Sequence, residues 1–176
     1  MIFIETELQG AFIIEPEKIA DERGFFARTW CQKEFARRGL TSQFIQGNIS
    51  SNTEKGTLRG MHYQVHPHEE VKLVRCTQGA IYDVIIDLRP GSPTFKKWMA
   101  VELTAENHCA LYIPEEFAHG FQTLVDNTEL FYQMSGSYHP DCGRGIRWND
   151  PAFRIEWPSD ERIISAWDQE FPDFIP

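Results

Sequence analysis

The stretch "AIYDVIIDLRPGSP", Ala80 to Pro93, decides the fold. Tyr82, Val84, Ile86 and Leu88 alternate with Ile81, Asp83, Ile85 and Asp87. That period of two places successive side chains on opposite faces of a strand. Pro90-Gly91-Ser92-Pro93 then breaks the chain. The same period returns in Met99, Val101 and Leu103, in Cys109, Leu111 and Ile113 up to Pro114, in Phe121, Thr123 and Val125, and in Leu130, Tyr132 and Met134. Turns fall between these runs at Gln78-Gly79, Asp126-Asn127, Pro140-Asp141 and Asn149-Asp150. From Gly56 onward the chain therefore reads as all-β, with the short, evenly spaced strands of a sandwich or barrel. One helix is expected at about Gln32 to Arg38, where Phe35 is flanked by charges and Gly39 can stop the helix in the left-handed conformation. The tail from Pro158, with its prolines, reads as irregular chain that packs across the barrel and so covers Trp167, Phe171 and Phe174.

The 176 residues fit one domain, 1–176, large enough to bury a core without staples. A composition of 41% hydrophobic, 13% aromatic and 24% charged residues is that of a globular protein, with no repeat or low-complexity run. No apolar stretch approaches a membrane span and the N-terminus lacks a signal pattern, so no membrane partner and a cytoplasmic location are expected. Cys31, Cys76, Cys109 and Cys142 lie far apart with no CxxC pair and read as free thiols. A net charge of −9 argues against nucleic acid as a partner, because counterion release needs clustered Lys and Arg. An anionic small molecule needs only a local cluster, for which Arg23, Arg28, Arg59 and Arg75 are candidates.

Two chemistries are open to the histidines of "SNTEKGTLRGMHYQVHPHEE", Ser51 to Glu70. His66 and His68, with His119 in "YIPEEFAHGF", echo the two motifs of metal-binding cupin barrels. Against a metal, Glu69 and Glu70 come too soon after His68, and Lys72 puts an ammonium where a ligand is wanted. The alternative for His66 and His68 is a polar loop tip, favoured by Pro67. The second chemistry is proton transfer. Leu58, Gly60, His62 and Gln64 share one face of a strand and carry the polar groups of a pocket lining. A histidine there can remove a proton near neutral pH, a carboxylate can fix its tautomer, Tyr132 can act as the opposing acid, and Lys72 can stabilise an oxyanion. Taken alone, a His or Tyr here is better explained as a hydrogen-bonded core residue.

Four segments supply context: "DERGFF" at Asp21 to Phe26, "QGNISSNTEKGTLRGMHYQ" at Gln46 to Gln64, "YIPEEFAHGFQTL" at Tyr112 to Leu124, and "GIRWNDPAFRIEWP" at Gly145 to Pro158. Together, and in this order over nearly the whole chain, they resemble the dTDP-4-dehydrorhamnose 3,5-epimerase family. The resemblance implies a cupin-type jelly-roll barrel, a homodimer, no metal or organic cofactor, and epimerisation of a nucleotide-linked 4-keto-6-deoxy sugar. It implies His62 as base, Tyr132 as acid, Asp168 as the carboxylate that orients His62, and Lys72 near the C4 oxygen. By the same resemblance His119 lines the sugar site, Arg23 and Arg59 contact the diphosphate, Gln46 and Asn48 lie near the nucleotide, Tyr138 stacks on the base, and Phe26 adds to the base pocket.

Three positions depart from the family pattern. Arg28 stands where a glutamate commonly contacts the thymine, Gly143 where a glutamate is often found, and Trp167 where a lysine often precedes the acid. An arginine only donates hydrogen bonds, so Arg28 would change how a base is read. The departures touch ligand recognition and leave His62, Tyr132 and Asp168 intact. Alternatives that stay open are a single-centre epimerase acting on a CDP, GDP or UDP sugar, a metal-dependent cupin built on His66, His68 and His119, and a sugar-nucleotide binding module without turnover.

Overall fold

The computed structural model describes residues 1–175. In chain order the elements are β1 (Ile2–Glu5), β2 (Phe12–Glu15), β3 (Ile19–Asp21), β4 (Gly24–Phe26), α1 (Gln32–Ala36), β5 (Gln46–Asn52), β6 (Thr57–Gln64), β7 (Lys72–Gln78), β8 (Ala80–Asp87), β9 (Trp98–Thr104), β10 (Ala110–Ile113), β11 (Phe117–Thr123), β12 (Thr128–Met134), β13 (Gly143–Gly145), β14 (Ile163–Ile164) and α2 (Ala166–Gln169). One sheet runs β1-β2-β10-β7-β12-β5 and the other β13-β6-β11-β8-β9, with β14 parallel to β6. Interleaving of distant strands in two facing antiparallel sheets is the jelly-roll arrangement that the alternation implied. The ladders stay in two sheets and do not close into one ring among the described residues.

The decisive stretch is β8, and it is buried on both faces. Ile81 and Ile85 point between the sheets into a core with Val74, Leu103, Leu111, Phe121 and Leu130. Val84 and Ile86 point the other way, against Met61, Ile146 and Phe153. Segment 146–157 thus covers the outside of the second sheet, which explains why β8 is apolar at nearly every position. The first sheet is covered by α1, whose Phe35 packs with Ile14, Leu73 and Tyr112. That helix ends as expected: Gly39 has φ 70°, and the Gly39 and Leu40 amides donate to Ala36 and Phe35 carbonyls.

Strands also precede Gly56, where the alternation was too short or too polar to read, and β5 among them becomes a wall of the site. The tail is less irregular than expected. Ile163–Ile164 pairs with β6 and Ala166–Gln169 forms a helical turn capped by Ser165, whose Oγ accepts from the Asp168 amide at 3.1 Å. Phe171 and Phe174 do pack inward, but Trp167 stays exposed at the mouth of a cavity.

At the end of β8, Asp87 is fully buried. Burial alone would raise its pKa, but hydrogen bonds from Arg89, Ser92 and Thr94 outweigh that and hold it at about 2. Its folded value lies below the ordinary 3.8, so the stabilisation is present above about pH 4 and is lost as pH falls toward 2. Asp87→Asn is expected to cost roughly 2 kcal/mol of unfolding free energy at pH 7. In urea titrations the gap between variant and wild type should close as pH falls through that window; a gap independent of pH would contradict the assignment.

Candidate active site

Between the two sheets lies a cavity of about 650 Å³. From the first sheet, β5 contributes Gln46 and Asn48, β7 contributes Lys72, and β12 contributes Tyr132 and Met134. From the second, β6 contributes Arg59, His62 and Gln64, and β11 contributes His119 and Phe121. Register sets the neighbours. Tyr132 is opposite Asn48, Met134 is opposite both Gln46 and Lys72, and His62 is opposite His119.

The face read for β6 needs one correction. Leu58 and Gly60 do not line the cavity, whereas Arg59 does, together with His62 and Gln64. The register of β6 against β11 shifts between His62↔His119 and Arg59↔Phe121, so that Gly60 and Met61 together face Gly120. Such a bulge turns the chain by one residue and brings two side chains separated by an odd step to one side. Glycine is required at the crossing: a Cβ on Gly60, at φ 132°, would lie 2.5 Å from the Gly120 Cα, and one on Gly120 would lie 2.8 Å from the Arg59 carbonyl oxygen.

His62 and Asp168 meet at 2.6 Å between Nε2 and Oδ1. Asp168 is buried at the start of α2, and its second oxygen takes the Gly60 amide at 3.4 Å. A carboxylate can only accept, so Nε2 carries a proton, and in the neutral tautomer that this fixes the lone pair is on Nδ1. Trp167 lies 5.3 Å from the His62 ring at 34°, and Phe171 packs edge-on against both rings. A second pair of the same kind, which the sequence reading missed, joins His119 Nε2 to Asp83 Oδ1 at 2.6 Å. Asp83 is fully buried on the inward face of β8, where its carboxyl had passed as a member of the alternation.

Lys72 and Tyr132 stand on the opposite wall. The Lys72 ammonium donates to the His62 carbonyl and pairs with Glu70, each at 3.2 Å. Burial pushes the Tyr132 phenol above its ordinary pKa, partly offset by the Arg59 guanidinium and reinforced by Glu70, so it holds its proton well into alkaline pH. Arg59 is steadied by Asn52, which accepts from its Nε at 2.8 Å. At the far end Gln46 donates to Asn48 at 3.1 Å and accepts the Tyr138 amide at 3.2 Å, while Tyr138, Gly143, Arg144 and Trp167 line the opening.

Three expected site residues are elsewhere. Arg23 is paired with Asp21 at the tip of the β3–β4 hairpin, Phe26 is 72% exposed on the same hairpin, and Arg28 pairs with Glu34 at 2.9 Å. None of them lines the cavity of its own chain. The histidines of the metal alternative do not converge either. His66 is exposed beside Glu69, His68 stacks on His139 at 3.4 Å, and His119 is engaged by Asp83. Among the described residues no group of three or more His, Cys, Asp or Glu is placed to hold a metal.

A family model described as dTDP-4-dehydrorhamnose 3,5-epimerase matches residues 5–175. The chain belongs to that family. It is 45% identical to the dTDP-4-dehydrorhamnose 3,5-epimerase of Shigella flexneri, over 99% of this chain and 97% of that one. The crystal structure of the dTDP-4-dehydrorhamnose 3,5-epimerase from Bacillus anthracis, with TDP and PPi bound, superposes with a TM-score of 0.95 at 43% identity, covering 98% of this chain and 99% of that chain. An epimerase from Legionella pneumophila in complex with dTDP-4-keto-L-rhamnose superposes with a TM-score of 0.88 at 38% identity, over 95% of this chain and 89% of that one. The jelly-roll cupin fold expected from the resemblance is thus the fold of dTDP-4-dehydrorhamnose 3,5-epimerases, and the chain is an isomerase of that family.

Proposed function

We propose that this chain converts dTDP-4-dehydro-6-deoxy-D-glucose to dTDP-4-dehydro-L-rhamnose by inverting C3 and C5. The observation that carries the reading is the facing of two sheets: His62 with Asp168 on one, Tyr132 with Lys72 on the other, across one cavity. The hydrogens on C3 and C5 are α to the C4 ketone. His62 Nδ1 takes the proton, the C–H electron pair moves into the ring as an enolate, and negative charge gathers on the C4 oxygen. An ammonium N–H of Lys72 accepts none of that charge covalently but stabilises it where it develops, the kind of donor worth about a hundredfold to a thousandfold in turnover. Tyr132 then delivers a proton to the carbon from the opposite side, and solvent restores both groups. No step calls on a metal or an organic cofactor.

The nucleotide would lie toward the opening, its base against Tyr138 and within reach of Gln46 and Asn48, its diphosphate on the planar fork of Arg59. Arg23 and Phe26 belong to this scheme through a second copy. Phe26, Ile19 and Phe25 leave the β3–β4 hairpin apolar and exposed, and in a homodimer each hairpin would bring Arg23 and Phe26 to the other copy's cavity. Arg28, held by Glu34, stays outside the base contact in this reading. The domain 1–176 works as one unit in the cytoplasm; no helix of the described residues is long and apolar enough to cross a membrane.

Incubation with dTDP-4-keto-6-deoxyglucose in deuterated water, beside the CDP, GDP and UDP counterparts, tests the reading. Deuterium at both C3 and C5 of the dTDP sugar is expected, from a species sedimenting as a dimer. One deuterium would make the chain a single-centre enzyme, label only with another nucleotide would overturn the dTDP assignment, and binding without label would make it a binding module.

A further inference from the structure

Lys72 is nearly buried, and its ammonium has three N–H groups to place. One goes to the His62 carbonyl at 3.2 Å, and the ammonium is ion-paired with Glu70 Oε1 at 3.2 Å. Glu70 is itself immobilised. Its side chain is 3% exposed, and its other oxygen accepts from Gln64 Nε2 at 2.8 Å. Gln64 also donates to the carbonyls of His68 and Ser137 and accepts the His139 amide at 2.6 Å. The carboxylate therefore sits in a rigid frame that ties β6 to the segment bearing Tyr138.

Resting on the proposed reaction, we propose that Glu70 is the positioning residue of Lys72: by pairing with the ammonium on one side while the His62 carbonyl accepts an N–H on another, it keeps a free N–H directed into the cavity, at the C4 oxygen. Glu70 touches no reacting atom. Its part is to hold an otherwise flexible four-carbon chain in one geometry, so that the donor is in place before charge develops. What the role demands at position 70 is a carboxylate at the right distance, because both of its oxygens face donors, Lys72 Nζ and Gln64 Nε2.

Two variants break this demand in different ways. Glu70→Asp keeps the charge and withdraws the oxygens by one methylene, whereas Glu70→Gln keeps the length but sets an amide NH2 against Gln64 or the ammonium, both donors. Deuterium incorporation into the dTDP sugar should fall about tenfold to a hundredfold in kcat for both variants, the cost of misplacement by about 1 Å, with dTDP affinity unchanged. In a Lys72→Met background neither variant should cost anything more, since nothing is left to position. Wild-type kcat in E70D, or a loss undiminished in the K72M background, would overturn the proposal. Nitrogen-15 NMR gives a readout independent of turnover. The Lys72 ammonium, identified by its loss in K72M, should give a slowly exchanging signal in wild type that disappears in E70D and E70Q. If wild type fails to exchange the sugar hydrogens, the proposed reaction fails, and the NMR comparison still decides whether Glu70 positions Lys72.

Discussion

Replacing His62 by alanine is expected to reduce deuterium incorporation at C3 and at C5 together, by about 10²- to 10⁴-fold, the usual contribution of a positioned general base. Asp168 would remain buried with its Oδ2 on the Gly60 amide, so the site loses its base without losing the carboxylate that served it. Binding of dTDP should persist, because Arg59, Gln46, Asn48 and Tyr138 are untouched. The experiment has a built-in rival. His119 with Asp83 is a second imidazole–carboxylate pair at the same 2.6 Å, facing the same cavity. Mass spectrometry that finds incorporation surviving at one carbon in His62→Ala would divide the two abstractions between the two histidines and refute a single base.

The second large effect is expected from Tyr132→Phe. Net epimerisation should drop by about a hundredfold or more, while hydrogen exchange at the same carbons should fall by no more than about tenfold. Abstraction and redelivery are separate steps: His62 still removes the proton, and without the phenol on the opposite wall it returns one to the face it left. The label would then appear mainly in unepimerised sugar. Product and exchange falling in parallel would assign Tyr132 to the abstraction step or to binding. Because burial raises the Tyr132 pKa, the wild-type enzyme should lose no acid function on the alkaline side below the phenol's ordinary range.

Much of this arrangement was legible in the chain because strands write their period directly into sequence. Tyr132 and His62 were both placed on strands that do line the cavity, and β8 announced itself through alternation that the two covering layers make apolar on both sides. The reading failed where the period is interrupted. At Gly60 a bulge moves Arg59 to the cavity and Leu58 away from it, and the only local sign is a glycine whose partner, Gly120, lies sixty residues on. Asp83 was missed for the opposite reason: it obeys the alternation, and only the inward direction of its face turns a strand aspartate into a buried partner for His119. Glu70 was weighed only as an acid too close to His68 to hold a metal, because its partners, Gln64 and Lys72, meet it only in the folded chain. Arg23, Phe26 and Arg28 show a different limit. A motif can name residues for a ligand, but these three lie outside the cavity that their own chain lines.

The bulge in β6 also fixes what kind of change this strand can absorb. On the proposed reading, substitutions at the end of the cavity lined by Gln46, Asn48, Tyr138 and Gly143 are expected to alter which base is accepted and to leave the spacing between strands as it was. Changing the length of β6 by one residue between Arg59 and His62 is a different event. Gly60 and Met61 together answer the single Gly120, so removing one of them would leave Arg59 and His62 two positions apart, still on one face opposite Phe121 and His119, but would take away either the Gly60 amide that Asp168 accepts or the Met61 side chain packed with Ile146 and Phe153. The extra residue thus serves as an anchor and not as a register device, and shortening the strand would loosen α2 or the cover over the second sheet before it disturbed the facing of the polar side chains.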